Sequence, residues 1–163
     1  MEQTMQQIKQ VITPSELLRH WQGHRMLTKR VIEAFPEKEL FNFSIGGMRP
    51  FAGLVMELLG IAVPALKEIV SGQTEELNEK LDPSITKQGL LQLWDNATEE
   101  INALYAEIPI DQFHETINLF GLYKGTIWSS IFYFIDNEIH HRGQGYVYLR
   151  ALGIEPPSFW DRP

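Results

Sequence analysis

The sequence predicts an all-α protein, a four-helix bundle with at least one longer crossover connection. Four long stretches carry apolar residues at helical spacing, bounded by cap or proline signals, and no stretch sustains the two-residue alternation of a half-buried strand. The connectors between these stretches are unequal in length, and that inequality calls for a crossover. The 163 residues suit one domain that can bury its own core, read as 1–163 with an N-terminal extension at 1–12 and a proline-rich tail at 154–163.

Thr13-Pro14-Ser15-Glu16 is a capping box with proline at the first helical position. Behind it Leu17, Leu18, Trp21, Leu27, Val31, Ile32 and Phe35 form a broad apolar stripe, and Pro36 ends the helix. Residues 37–47 read as a linker, with Gly46-Gly47 as its loop signal. The second helix starts near Arg49-Pro50 and runs at least to Val63; Pro64 is expected to kink or break it, and it fades by Ser71-Gly72. The charged stretch 74–80 reads as a solvated loop or a frayed turn. Asp82-Pro83-Ser84 opens the third helix, roughly 85–107, closed by Pro109. Residues 110–124 read as a connector with at most one helical turn. The last helix runs from about 126 to 152 with Gly153 as its C-cap, and the Phe159-Trp160 pair of the tail is expected to pack back on the bundle.

Composition removes several kinds of chemistry. There is no cysteine, so disulfides, thiolate nucleophiles and zinc–thiolate sites are excluded. The polar opening lacks the apolar core of a signal peptide, and the longest apolar run, 51–66, is too short to span a bilayer and carries Glu57. The expectation is a cytoplasmic chain with no membrane partner. A net charge of -7 without any Lys/Arg cluster argues against a nucleic-acid partner. The chain has no glycine-rich phosphate loop, no Gly-x-Ser-x-Gly and no dinucleotide fingerprint.

The chemistry that remains concentrates in two helices. Asn137 and His141 stand four residues apart, one turn apart on one face of the last helix. At about 100° per residue, Ser130, Phe134, Gln144 and Tyr148 share that face, and Tyr148 can donate a hydrogen bond into a pocket there. Trp128, Ile131, Ile135, Ile139 and Leu149 make the core face, while Ser129, Asp136 and His140 point to solvent. Glu138 and Arg142 repeat the four-residue spacing, either as an intrahelical ion pair or with Arg142 turned to a pocket to bind an anionic group. Gly143 and Gly145 weaken the helix and mark close approach of another helix, within the monomer or across a dimer. On the second helix Glu57 is the only charge between Phe51 and Val63. A carboxylate on a helix apolar all round must be paired, ligated or protonated. His20 and His24, also four apart, read as a polar edge of the first helix, and His114 as a solvated connector residue.

The run Glu138-Ile139-His140-His141-Arg142-Gly143-Gln144, followed by Leu149-Arg150-Ala151-Leu152-Gly153-Ile154-Glu155-Pro156-Pro157, resembles the DinB-like superfamily, which includes YfiT-type metal-dependent hydrolases and thiol-dependent transferases. Gly47-Met48-Arg49-Pro50-Phe51 adds to the resemblance. It implies a four-helix bundle, often dimeric, with a divalent metal held by three histidines, one from the second helix and two, four residues apart, from the last. Those positions fall at Glu57, Asn137 and His141, of which only His141 keeps the family residue. The resemblance therefore implies a degenerate metal site in a non-catalytic or weakly active relative. The alternative is a metal-dependent hydrolase or thiol-dependent transferase. No cofactor is expected; if one binds, it is a divalent metal such as nickel, zinc or manganese. A homodimer and a small-molecule ligand are the expected partners. In a metal-free site Glu57 and His141 are expected to pair directly, with Asn137 bridging them.

Overall fold

Four long helices carry the architecture: α1 (Pro14–Ala34), α3 (Phe51–Ser71), α4 (Lys87–Glu107) and α5 (Ile127–Ala151). Between α1 and α3 lies a short helix, α2 (Glu37–Asn42); between α4 and α5 lie a 3-10 turn (Ile110–His114) and the strands β1 (Thr116–Leu119) and β2 (Tyr123–Thr126). This computed structural model describes residues 11–162, so nearly all of the N-terminal extension read at 1–12 is outside the described residues. The α1 capping box forms as read: Thr13 Oγ1 accepts from the Glu16 amide at 3.2 Å and Glu16 Oε2 accepts from the Thr13 amide at 2.8 Å.

Several boundaries differ from the sequence reading, each for a local reason. The 37–47 linker contains α2, because Pro36 stops α1 yet its carbonyl accepts from the Leu40 amide at 3.0 Å and opens the next turn. Pro64 does not break α3, which runs unbroken to a left-handed Gly72 cap. Packing overrides the lost hydrogen bond: Val63, Ala65 and Leu66 around the proline are buried between neighbouring helices. One turn earlier a Cβ on Gly60 would sit 2.5 Å from the Asn78 carbonyl oxygen, so the 74–80 loop lies directly on the helix there. The third long helix opens at Thr86, whose hydroxyl caps Gly89, because Asp82 spends its carboxylate on an Asx turn to Ser84. The 110–124 connector contains most of a β-hairpin, where the sequence reading expected no strand. Its register is Thr116↔Thr126 through Leu119↔Tyr123. Four-residue strands are too short for alternation to show. The turn puts Phe120 and Gly121 at φ 56 and 70, and phenylalanine stands where asparagine is the usual signal. Buried Glu68 holds it: both carboxylate oxygens accept from the Phe120 amide, at 3.1 and 3.0 Å, and Oε2 also accepts from the Glu75 amide at 3.1 Å.

The core is two apolar clusters with a polar belt between them. One cluster gathers Leu17, Trp21, Leu66, Ile101 and Ile131; the other gathers Ile32, Phe35, Phe51, Trp94 and Leu149. At the level between, α1 contributes His24, Arg25 and Thr28 and α5 contributes Glu138, His141 and Arg142, all buried. This belt turns α5 so that Ile139, read as a core residue, is 39% exposed. Gly145 does serve close approach: a Cβ there would meet the Phe51 ring at 2.5 Å, whereas Gly143 faces open space. Phe159 and Trp160 do not pack back and are exposed. The tail is fixed by polar contacts instead, Arg30 Nη1 to Asp161 at 3.1 and 3.2 Å and Arg162 to His24. Among the described residues no helix is long and apolar enough to cross a membrane.

Candidate functional site

Glu57 projects from the second turn of α3 toward α5, where Asn137 and His141 occupy successive turns. Its Oε1 accepts from His141 Nε2 at 2.9 Å and from Asn137 Nδ2 at 3.3 Å. Its Oε2 accepts from the Arg49 guanidinium. The structure thus brings together the three residues singled out on the two helices and adds a fourth, Arg49, as the cation of the cluster. Glu57 is not fully buried: its side chain keeps 15% exposure at the bundle surface. Partial burial pushes its carboxyl up, but the hydrogen bonds from Arg49, His141 and Asn137 outweigh that and hold it below the usual carboxylate range.

Each partner is positioned in turn. Arg49 sits just before α3 and lays its side chain along the first turn, against Gly53; its carbonyl accepts from the Tyr148 hydroxyl at 2.9 Å. It also reaches Glu79 Oε2 at 3.8 Å, so one guanidinium spans two carboxylates. His141 Nδ1 meets Gln144 Oε1 at 2.7 Å, so both ring nitrogens face oxygen atoms. Tyr148 faces this end of the bundle, as read, but spends its hydroxyl on the Arg49 backbone rather than in a pocket. In the sequence Arg49 stands out only as part of the Gly47–Phe51 run. The available signal was an arginine opening a helix that carries a lone acid two turns on.

Arg142 does not face a pocket. It is 4% exposed, its Nη1 donates to Thr28 Oγ1 at 3.1 Å and its Nη2 meets His24 Nδ1 at 2.8 Å. Glu138 lies 4.0 Å from it, and Glu138 Oε1 accepts from the Thr28 hydroxyl at 2.6 Å, with Arg25 Nη1 at 3.8 Å from Oε2. The intrahelical pair is therefore part of a buried network rather than a surface bridge. Burial pushes the Glu138 carboxyl up, with Arg25 opposing. His24 is pushed down to about 3 by burial, then by Arg142, Arg162 and His20. Its Nδ1 lies 2.8 Å from Arg142 Nη2, and its Nε2 lies 3.3 Å from His20 Nε2 and 3.4 Å from Arg162 Nη1. The His20–His24 edge is thus hydrogen-bonded, with the Arg142 and Arg162 guanidinium groups beside it. His114 is exposed, as read.

A cleft of about 240 Å³ opens one turn along from Glu57, between α3, α5 and the hairpin. Ile61 and Tyr133, each one turn from a cluster residue, line it. Among the described residues no group of three or more His, Cys, Asp or Glu side chains is arranged to hold a metal ion.

Fold and site together define a helical bundle with a carboxylate, imidazole and amide clasped between its second and last long helices. The chain belongs to the DinB family, whose family model matches residues 1–161. Two solved structures share the fold. A DinB-like protein from Bacillus cereus ATCC 10987 is 16% identical with a TM-score of 0.72, covering 88% of this chain and 95% of its own. The DinB-like protein YjoA from Bacillus subtilis is 22% identical with a TM-score of 0.72, covering 90% of this chain and 99% of its own. No curated protein matches the chain.

Proposed function

We propose that this DinB-family protein works without a metal, as a non-catalytic or weakly active bundle that binds a small molecule beside a degenerate family site. The observation that carries this reading is the set of donors on Glu57. Three side chains aim N–H donors at its two oxygens, and Arg49 supplies the positive charge. A divalent ion would need lone pairs turned to the same point, and here amide and guanidinium present protons. Carboxylate, amide and one imidazole also make a harder and weaker donor set for zinc or nickel than three imidazoles. A guanidinium paired with a carboxylate cannot supply the Lewis acidity that a metal hydrolase or thiol transferase needs.

The test is elemental analysis of untagged protein purified without added metal. The expected result is nickel, zinc and manganese far below one equivalent, with no saturable uptake on titration. Near-stoichiometric metal that disappears in His141→Ala would overturn the reading in favour of a metal-dependent hydrolase or transferase.

A further inference from the structure

We propose that the cleft between α3, α5 and the hairpin binds a small organic amine, an ammonium group carried on an apolar body. Its polar lining offers acceptors. Ser129 Oγ and Ser130 Oγ both donate to the Thr126 carbonyl, at 2.9 and 3.0 Å. Their protons are spent, so they present only lone pairs to an occupant. Glu79 adds a carboxylate at the wall, held only loosely by Arg49 at 3.8 Å.

The lining residue of opposite sign is Lys124, and the hairpin turns it away. Leu119 pairs with Tyr123 and is buried, so that face of the ladder points inward. Lys124 pairs with Asn118 on the alternate face, where both residues are exposed. The ladder thus starts the Lys124 side chain on the face opposite the one that Leu119 and Tyr123 present.

Aromatic rings supply the rest. Phe120, Tyr123, Tyr133 and Phe134 all line the cleft, and ring faces attract cations. Burial, then the charges of Glu57, Tyr123 and Glu79, raises the Tyr133 phenol, which therefore stays neutral. Phe120 is held in a left-handed backbone, φ 56, by the Glu68 carboxylate, a cost that fixes its ring at this wall. At about 240 Å³ the cleft lies below the roughly 300–1,000 Å³ of drug-sized sites, so the occupant is small.

The proposal rests on the small-molecule reading above and is tested apart from its metal-free element, by titrating EDTA-treated protein. The probes are 2-phenylethylammonium, 3-phenylpropionate and 2-phenylethanol, followed by amide NMR shifts at Gly125, Ser129 and Tyr133 and by calorimetry. The ammonium is expected to bind saturably and to weaken about tenfold in Glu79→Gln and in Tyr133→Leu, both exposed positions whose folding is checked by circular dichroism. The carboxylate is expected not to bind. Equal or tighter binding of 3-phenylpropionate, equal binding of 2-phenylethanol, an unchanged affinity in Glu79→Gln, or no ammonium binding would each overturn it. Metal uptake by the untreated chain bears only on the metal-free reading.

Discussion

Glu57 accepts from Arg49, Asn137 and His141, and exchanging those partners tests what the cluster is for. Glu57→His with Asn137→His sets three imidazoles on α3 and α5. If these positions correspond to the family's ligand set, the folded double variant takes up zinc in calorimetry, and failure to do so removes the correspondence. Adding Arg49→Ala should tighten uptake about tenfold by removing a like charge from the site. A second residue-scale prediction concerns His24. Its pKa is about 3 in the fold against 6.5 unperturbed, so the unfolded chain binds more protons between those values. The His24 contribution is complete above about 6.5 and is lost as pH drops toward 3. Glu57, also depressed, adds a loss of the same sign below 4.5, whereas Glu138, pushed up, contributes with the opposite sign. His24→Gln should flatten the slope between pH 6.5 and 4.5 in urea melts, and an unchanged slope would remove His24 from the account. At this scale the sequence was informative about oddities: one acid in an oily helix and a histidine one turn from an asparagine. Arg49 was legible only as an arginine opening a helix with a lone acid two turns on, because nothing local says that the two side chains will meet.

At the scale of elements, long amphipathic helices were readable because their periodicity repeats over five or more turns. The hairpin was not, since four residues cannot establish a period and its turn lacks asparagine. Pro64 misled for the opposite reason: a local breaking signal lost to the burial of α3. The hairpin depends on one distant carboxylate, Glu68, which ties the Phe120 and Glu75 amides to α3. Glu68→Ala should leave the bundle folded while speeding hydrogen exchange at both amides. Unaltered protection would mean that the strand ladder alone holds the turn.

For the whole molecule the governing feature is the belt of Arg25, Thr28, Glu138, His24 and Arg142 between two apolar clusters. Removing one charge leaves its neighbours buried without compensation. Glu138→Leu is therefore expected to cost about 3–5 kcal/mol, measured by chemical denaturation. Replacing Arg25 by Met in the same background should recover part of that loss, because it removes one of the two buried arginines beside Glu138 while Arg142 stays without its carboxylate. A loss in the double variant as large as in the single one would show that Arg25 is held by Thr98 and the Trp94 carbonyl rather than by Glu138. The arrangement was only half legible: Glu138 and Arg142 advertise a pair, but α1 gives no cue that His24, Arg25 and Thr28 face inward between two oily stretches.

The belt also fixes how the helices sit lengthwise. Apolar contact is non-directional, so oily side chains name their lengthwise partners less sharply than hydrogen-bonded ones do. Arg142 against His24 and Thr28 against Glu138 fit at one setting alone, so α1 and α5 are keyed against slipping along each other.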